Sequence, residues 1–162
     1  MSDWPEVPQF GALLRQHIAS VPDAARPAFL AGLERSAAAR YRAWAEEAPE
    51  HAEALIGCAD REDEIARLVA DLFPISAELQ AEVDAALPAA VALYYDVFAP
   101  HPVTHQLYLQ SEAELQGAMA WVNMAGVVDD PATRKILDRC TSLERESSVV
   151  VKDLLDAMTI DA

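Results

Sequence analysis

The sequence predicts an all-α protein, and three observations carry that expectation. Alanine and leucine dominate a chain that is 52% apolar by the broad count and holds only 5 glycines, a composition that suits packed helices. No long stretch alternates apolar with polar residues in the manner of a strand. Apolar residues instead recur at helical spacing, as in "LIGCADREDEIARLVADL", where Leu55, Cys58, Ile65, Val69 and Leu72 share one stripe. With 162 residues the chain suits a single domain, 1-162, with a real core.

The elements follow in order. "PQFGALLRQHIASVPD" reads as a short helix ending before Pro22, which makes 1-22 an N-terminal helical segment. Asp23 or the residues after it can start the next helix, with Pro27 tolerated in its first turn. That helix runs through "FLAGLERSAAARYRAWAEE" to Pro49, and another follows from Glu50 to about Phe73. The two form a first αα-hairpin, 24-73. A crossover, 74-102, contains "SAELQAEVDAALPAAVALYYDVF", expected to break or kink at Pro88. Leu79, Val83, Leu87, Val91 and Tyr94 would face the other helices. Tyr94, Tyr95 and Phe98 suit core packing or a dimer contact. The second hairpin, 103-160, pairs "THQLYLQSEAELQGAMAWVNMAG" with "ATRKILDRCTSLERESSVVVKDLLDAM". Trp4 and Phe10 suit either an end cap of this chain or a contact with a second subunit.

Charge excludes some partners. A net charge of −15 arises from 27 acids against 12 bases. No basic cluster could neutralise phosphates, so no nucleic acid and no membrane is expected as a partner. No run of about 18 apolar residues appears, and "MSDWPEVPQF" lacks the basic start and apolar middle of a signal peptide. The expected location is cytoplasmic with reduced thiols. A homodimer is an open partner, and any small-molecule substrate is unspecified.

The apolar stripes hold an anomaly. Glu62 occupies the slot between Cys58 and Ile65 that a core residue should fill. The pattern recurs 82 residues later, where Cys140, Glu144, Val151, Asp153 and Leu154 repeat Cys58, Glu62, Val69, Asp71 and Leu72. A partly matching repeat links the preceding helices. Glu34 is followed by Tyr41 and Ala45, and Glu114 by Trp121 and Ala125, at the same offsets. Each hairpin thus carries one inward glutamate per helix. Glu34 shares its face with Leu30, Ala37, Tyr41 and Trp44; Glu114 shares its own with Leu107, Ala118 and Trp121. Glu112 is the competitor in that helix, on a stripe with Tyr108, Leu115 and Met119, but the repeat favours Glu114.

At these residues the chain resembles the ferritin-like superfamily, most nearly its rubrerythrin type, over about residues 26 to 158. The resemblance implies a ferritin-like four-helix bundle of two related αα-hairpins around a di-iron site. Each hairpin would supply a Glu from its first helix and Glu-x-x-His from its second. The tyrosine in "ERSAAARY" is also rubrerythrin-like and implies Tyr41 as a donor behind the ligands. The implied metal set is Glu34, Glu62, Glu114 and Glu144. The two cysteines cannot make the four-cysteine rubredoxin site that rubrerythrins carry.

The pattern departs from that family at both histidines. Ile65 stands in "EDEI" and Ser147 in "ERES". His51 lies eleven residues before Glu62, about 16 Å along a helix, too far for a metal–nitrogen bond of about 2 Å. His17, His101 and His105 read as surface or capping residues. Four carboxylates at one interior point repel by about 4 kcal/mol per pair at ~4 Å and an effective dielectric near 20. A cation, protons, or displacement toward solvent or arginine must relieve that. An all-oxygen set favours Mn²⁺, Mg²⁺ or Ca²⁺ over the usual iron site. Ile65 would fill one imidazole's space, and Ser147 would leave room for water.

In the arrangement the resemblance implies, with Glu62 facing Glu144 on antiparallel neighbours, Cys58 and Cys140 would sit about 12 Å apart along the axis, so no disulfide is expected. The first functional reading is a degraded di-metal carboxylate centre, iron or manganese being its candidate cofactors. Its relatives imply non-haem oxidoreductase chemistry on oxygen or peroxide. The alternative is a non-catalytic bundle serving as an interaction or regulatory module. In a plain helical bundle without that ancestry the repeat is coincidence.

Overall fold

The computed structural model describes residues 4–160. Six helices make up the fold: α1 Phe10–Ala19, α2 Arg26–Glu47, α3 Ala52–Leu72, α4 Ala77–Phe98, α5 Val103–Gly126 and α6 Pro131–Ile160. Single 3₁₀ turns at Asp23–Ala25 and Pro49–His51 lead into α2 and α3. No strand occurs among the described residues, and no helix there is long and apolar enough to cross a membrane.

Local chemistry sets the ends. Pro27 lies in the first turn of α2, where a missing N–H costs nothing. Ser76 caps α4, accepting from the Leu79 amide at 3.2 Å. Asp130 caps α6 by accepting from the Thr133 amide at 2.8 Å, and Pro131 opens that helix.

The helices α2 and α3 pack along their length as one hairpin, α5 and α6 as another, and α3 against α6 joins the two. The backbones of α2 and α5 stay apart, and α1 lies over that gap against α4 and α5. The crossover is α4. It runs alongside α2 in the same direction, with Leu87 at Gly32 and Tyr94 at Arg40. Its 22 residues extend about 33 Å, which returns the chain to the far end for α5 to start back.

Of the break or kink expected at Pro88, the break does not occur, since α4 continues through it. An interior proline costs about 3 kcal/mol. Buried Val83 before it and Ala90 and Phe98 after it keep both halves on the same body. Leu87 sits so close that a Cβ on Gly32 would lie 2.6 Å from its Cδ2, and Gly32 is what lets the two helices approach there.

Two apolar groups occupy the ends of the four long helices. One gathers Trp44, Leu55, Phe98, Leu107 and Val151; the other gathers Ile65, Val69, Trp121, Leu137 and Leu143. A third, with Phe29, Val83 and Ala90, seats α4 and α1 and includes Leu79, Leu87, Val91 and Tyr94 at its edge. Tyr94 stacks on Phe10 at 5.0 Å, while Tyr95 is 45% exposed. Trp4 packs against Tyr108 of α5 at 4.9 Å. The aromatic residues at the N-terminus therefore contact their own chain.

Candidate metal centre

Between the two apolar ends, all four repeat-derived glutamates meet. Glu34 comes from α2, Glu62 from α3, Glu114 from α5 and Glu144 from α6. One carboxylate oxygen each of Glu34, Glu62 and Glu144 lies within 4.8 Å of the others. Glu62 also lies against Glu114, and Glu114 against Glu144. Glu62 is wholly buried, Glu114 and Glu144 nearly so, and Glu34 is half-buried. The competitor Glu112 points away and pairs with Lys152 Nζ at 3.0 Å. Its stripe-mates Leu115 and Met119 are exposed.

Two of the four are held by protein donors. Tyr41 Oη donates to Glu114 Oε1 at 2.5 Å, and Gln110 Nε2 donates to the same oxygen at 2.7 Å. Arg40 Nη2 in turn donates to Gln110 Oε1 at 3.2 Å. Trp121 Nε1 donates to Glu144 Oε1 at 2.8 Å. Gly117 makes room for that carboxylate, because a Cβ there would stand 2.6 Å from Glu144 Oε1. Glu62 is the exception: neither carboxylate oxygen has a hydrogen-bond partner.

Such a cluster resists ionisation. Burial, with the charge of Glu114 adding, pushes Glu34 up to about 7, although contact with Glu62 and the charge of Arg40 oppose the rise. Burial and the neighbouring carboxylates hold Glu62 and Glu144 well above the ordinary range. Tyr41 is also raised, first by burial and then by Glu114, so it stays a protonated donor. Among the described residues, no lysine or arginine forms an ion pair with any of the four. Protons or a cation must supply the missing positive charge.

The two histidine-replacing positions are closed differently. Ile65 is wholly buried hydrocarbon one turn beyond Glu62. Ser147 is wholly buried too, but the expected room for water is filled by protein. Arg61 Nε donates to Ser147 Oγ at 3.0 Å, and its Nη2 lies 3.2 Å from Cys58 Sγ. Serine is short enough for a guanidinium to enter the vacated volume and satisfy the hydroxyl. No histidine joins the acidic group among the described residues. Cys58 and Cys140 are both free and buried, and burial pushes the Cys140 thiol up to about 12. Both behave as small core residues.

The donor set fits a hard divalent cation bound through oxygen. It does not fit the nitrogen-and-oxygen di-iron set that the family resemblance implies. Ionised, Glu62 leaves two buried oxygens without a donor, at a cost of about 1–3 kcal/mol that a cation would relieve; protonated, it donates to Glu34 or Glu114 instead.

Sequence reasoning missed a neighbouring cavity. The gap between α2 and α5 encloses about 140 Å³, with the four glutamates at its floor and Phe10, Leu14 and Ile18 of α1 above. Arg40, Gln110 and Gly117 also line it. The stripe in α1 and the four-residue step from Gln110 to Glu114 were visible signals. The gap itself depends on how far two helices stand apart. Comparisons with family models, with curated proteins and with solved structures return no match for this chain.

Proposed function

We propose that this chain is a ferritin-like four-helix bundle of the rubrerythrin type whose degraded centre holds a hard divalent cation, manganese or iron(II), through carboxylate oxygens. The carrying observation is Glu62, wholly buried with both oxygens unpartnered among other carboxylates. The duplicated arrangement of the four glutamates supports the ancestry. A bound cation would supply Lewis acidity and, if redox-active, electrons for oxygen or peroxide chemistry.

The residues around it have separable roles. Glu34, Glu62 and Glu144 offer the converging oxygens. Glu114 is restrained by Tyr41 and Gln110, and Glu144 by Trp121. Loading a cation must displace protons from the raised carboxyls, so affinity increases with pH.

Elemental analysis of protein produced with iron and manganese present, and purified without a metal-affinity step, tests this. About one metal per chain is expected, lost on combining Glu62→Ala with Glu144→Ala. The second reading, a non-catalytic interaction or regulatory bundle, draws on Ile65 and Arg61 closing both imidazole positions. It requires a metal-free protein in which those same substitutions are neutral or stabilising, because protonated buried carboxyls add little.

A further inference from the structure

The cavity beside the glutamates is polar at one end and apolar at the other. Residues lining it on α2 run from Leu30 to Arg40, about 15 Å along the helix. Phe10, near the Arg40 end, and Ile18, toward the Leu30 end, belong to the α1 roof. That roof is fastened at its start by Gln116 of α5. Its Nε2 donates to the Pro8 carbonyl at 2.9 Å, and its Oε1 accepts from the Phe10 amide at 2.9 Å.

Arg40 reaches the metal centre only indirectly, through Gln110 and through its charge on Glu34. It is 4% exposed, pairs with no carboxylate among the described residues, and leaves Nε without a partner. Its guanidinium carbon lies 5.0 Å from the ring centroids of both Tyr94 and Phe98, which supports the cation without neutralising it. A buried cation with no carboxylate in direct contact favours an anion brought beside it.

We propose that this slot binds a small monocarboxylate, its anionic head at Arg40 and its hydrocarbon body directed toward Leu30 and Ile18 across the glutamate floor. The single guanidinium matches one negative charge. The volume of about 140 Å³ compares with an engineered apolar cavity of about 150 Å³ that admits benzene, so the body holds about six carbons. The inference rests on the metal-centre reading in one respect: a cation on the floor offsets repulsion between the acids and the incoming carboxylate.

Calorimetric titration with hexanoate and with hexan-1-ol, on manganese-loaded and chelator-treated protein, tests it. Loaded protein should bind one hexanoate per chain, about tenfold or more tighter than the alcohol. Arg40→Gln should remove that difference, and Ala37→Leu, a buried lining position on α2, should abolish binding of both probes. Absence of hexanoate binding, equal affinity for the alcohol, or hexanoate binding undiminished in Ala37→Leu would overturn the proposal. If Arg40→Gln does not fold, as judged by circular dichroism, the probe comparison and Ala37→Leu decide. Metal content is read on the same samples. Full metal without hexanoate binding sinks the slot alone. Hexanoate bound by a chain that takes up no metal sinks the centre alone and upholds the slot.

Discussion

Tyr41 Oη reaches across from α2 to Glu114 on α5 at 2.5 Å, whereas its repeat counterpart Trp121 turns to Glu144 on α6 at 2.8 Å. Two related hairpins thus build an asymmetric centre. Glu114 is fixed by two donors on one oxygen, Glu144 by one, and Glu62 by none.

Replacing Tyr41 by phenylalanine keeps the ring in place and deletes only the donor. Gln110 remains on Glu114 Oε1, so the carboxylate is not orphaned. A loss of about 1–2 kcal/mol is expected in urea denaturation of the chelated protein, with metal content kept because Tyr41 is not a ligand. An unchanged midpoint would show that this hydrogen bond contributes nothing net.

Metal-free protein should become less stable as pH rises from about 5 to 8. Folding pushes Glu34 up to about 7 and holds Glu62 and Glu144 well above the 4.5 of an unperturbed glutamate. Over that window the unfolded chain has already released protons that the folded chain retains, so alkalinity favours unfolding. Their contribution is complete below about 4.5 and lost through 7 and above. Glu62→Gln, which cannot ionise, should flatten the slope of thermal midpoint against pH. A chelated protein whose midpoint climbs with pH contradicts this electrostatic account.

Manganese should reverse that trend. The cation competes with protons for the same oxygens, so its stabilisation increases with pH. Measured at fixed free manganese, the difference in thermal midpoint between loaded and chelated protein should widen from about pH 6 to 8. A difference that stays constant would mean the metal sits elsewhere on this acidic surface.

Ile65→His should shift the centre toward nitrogen-preferring metals, whereas Ser147→His should not. Ile65 lies in the apolar group with Val69, Trp121 and Leu143, and an imidazole one turn from Glu62 restores the missing donor. At residue 147 the guanidinium of Arg61 already occupies the volume, so the histidine needs Arg61→Ala as well. Competition between zinc and manganese reads the outcome: zinc preference should rise by about tenfold or more in Ile65→His. Equal responses at the two sites would mean that Arg61 is no obstacle.

The helices were legible because the 3.6-residue apolar period and well-placed prolines mark them, and Glu62 because an acid interrupts an otherwise apolar stripe. The choice between Glu112 and Glu114 was harder. Leu115 and Met119 make the outer face of α5 look like a core face, and only packing shows them exposed. Pro88 does not break α4, because its local penalty is overridden by burial on both sides of it. Arg40 reads as an ordinary surface base until α4 lays Tyr94 and Phe98 over it. The occupation of the second histidine position by Arg61 likewise needs two helices side by side. Residues whose role lies in a partner far along the chain carry no local mark.

Two helical glycines make a final contrast. Gly57 and Gly117 both lie inside helices, where alanine is ordinarily preferred by about 0.5–1 kcal/mol. At Gly57 a Cβ would meet only Arg61 Nη1, at an ordinary 3.8 Å, so Gly57→Ala should stabilise by that amount. At Gly117 it would stand 2.6 Å from Glu144 Oε1 and 3.0 Å from its Cδ. The carboxylate must then move, which breaks its bond from Trp121 and pulls one ligand from the converging set. Gly117→Ala should therefore lower metal content and alter tryptophan fluorescence despite its better helix propensity. If both variants gain stability equally and bind metal alike, Glu144 can relocate freely and is no fixed part of the centre.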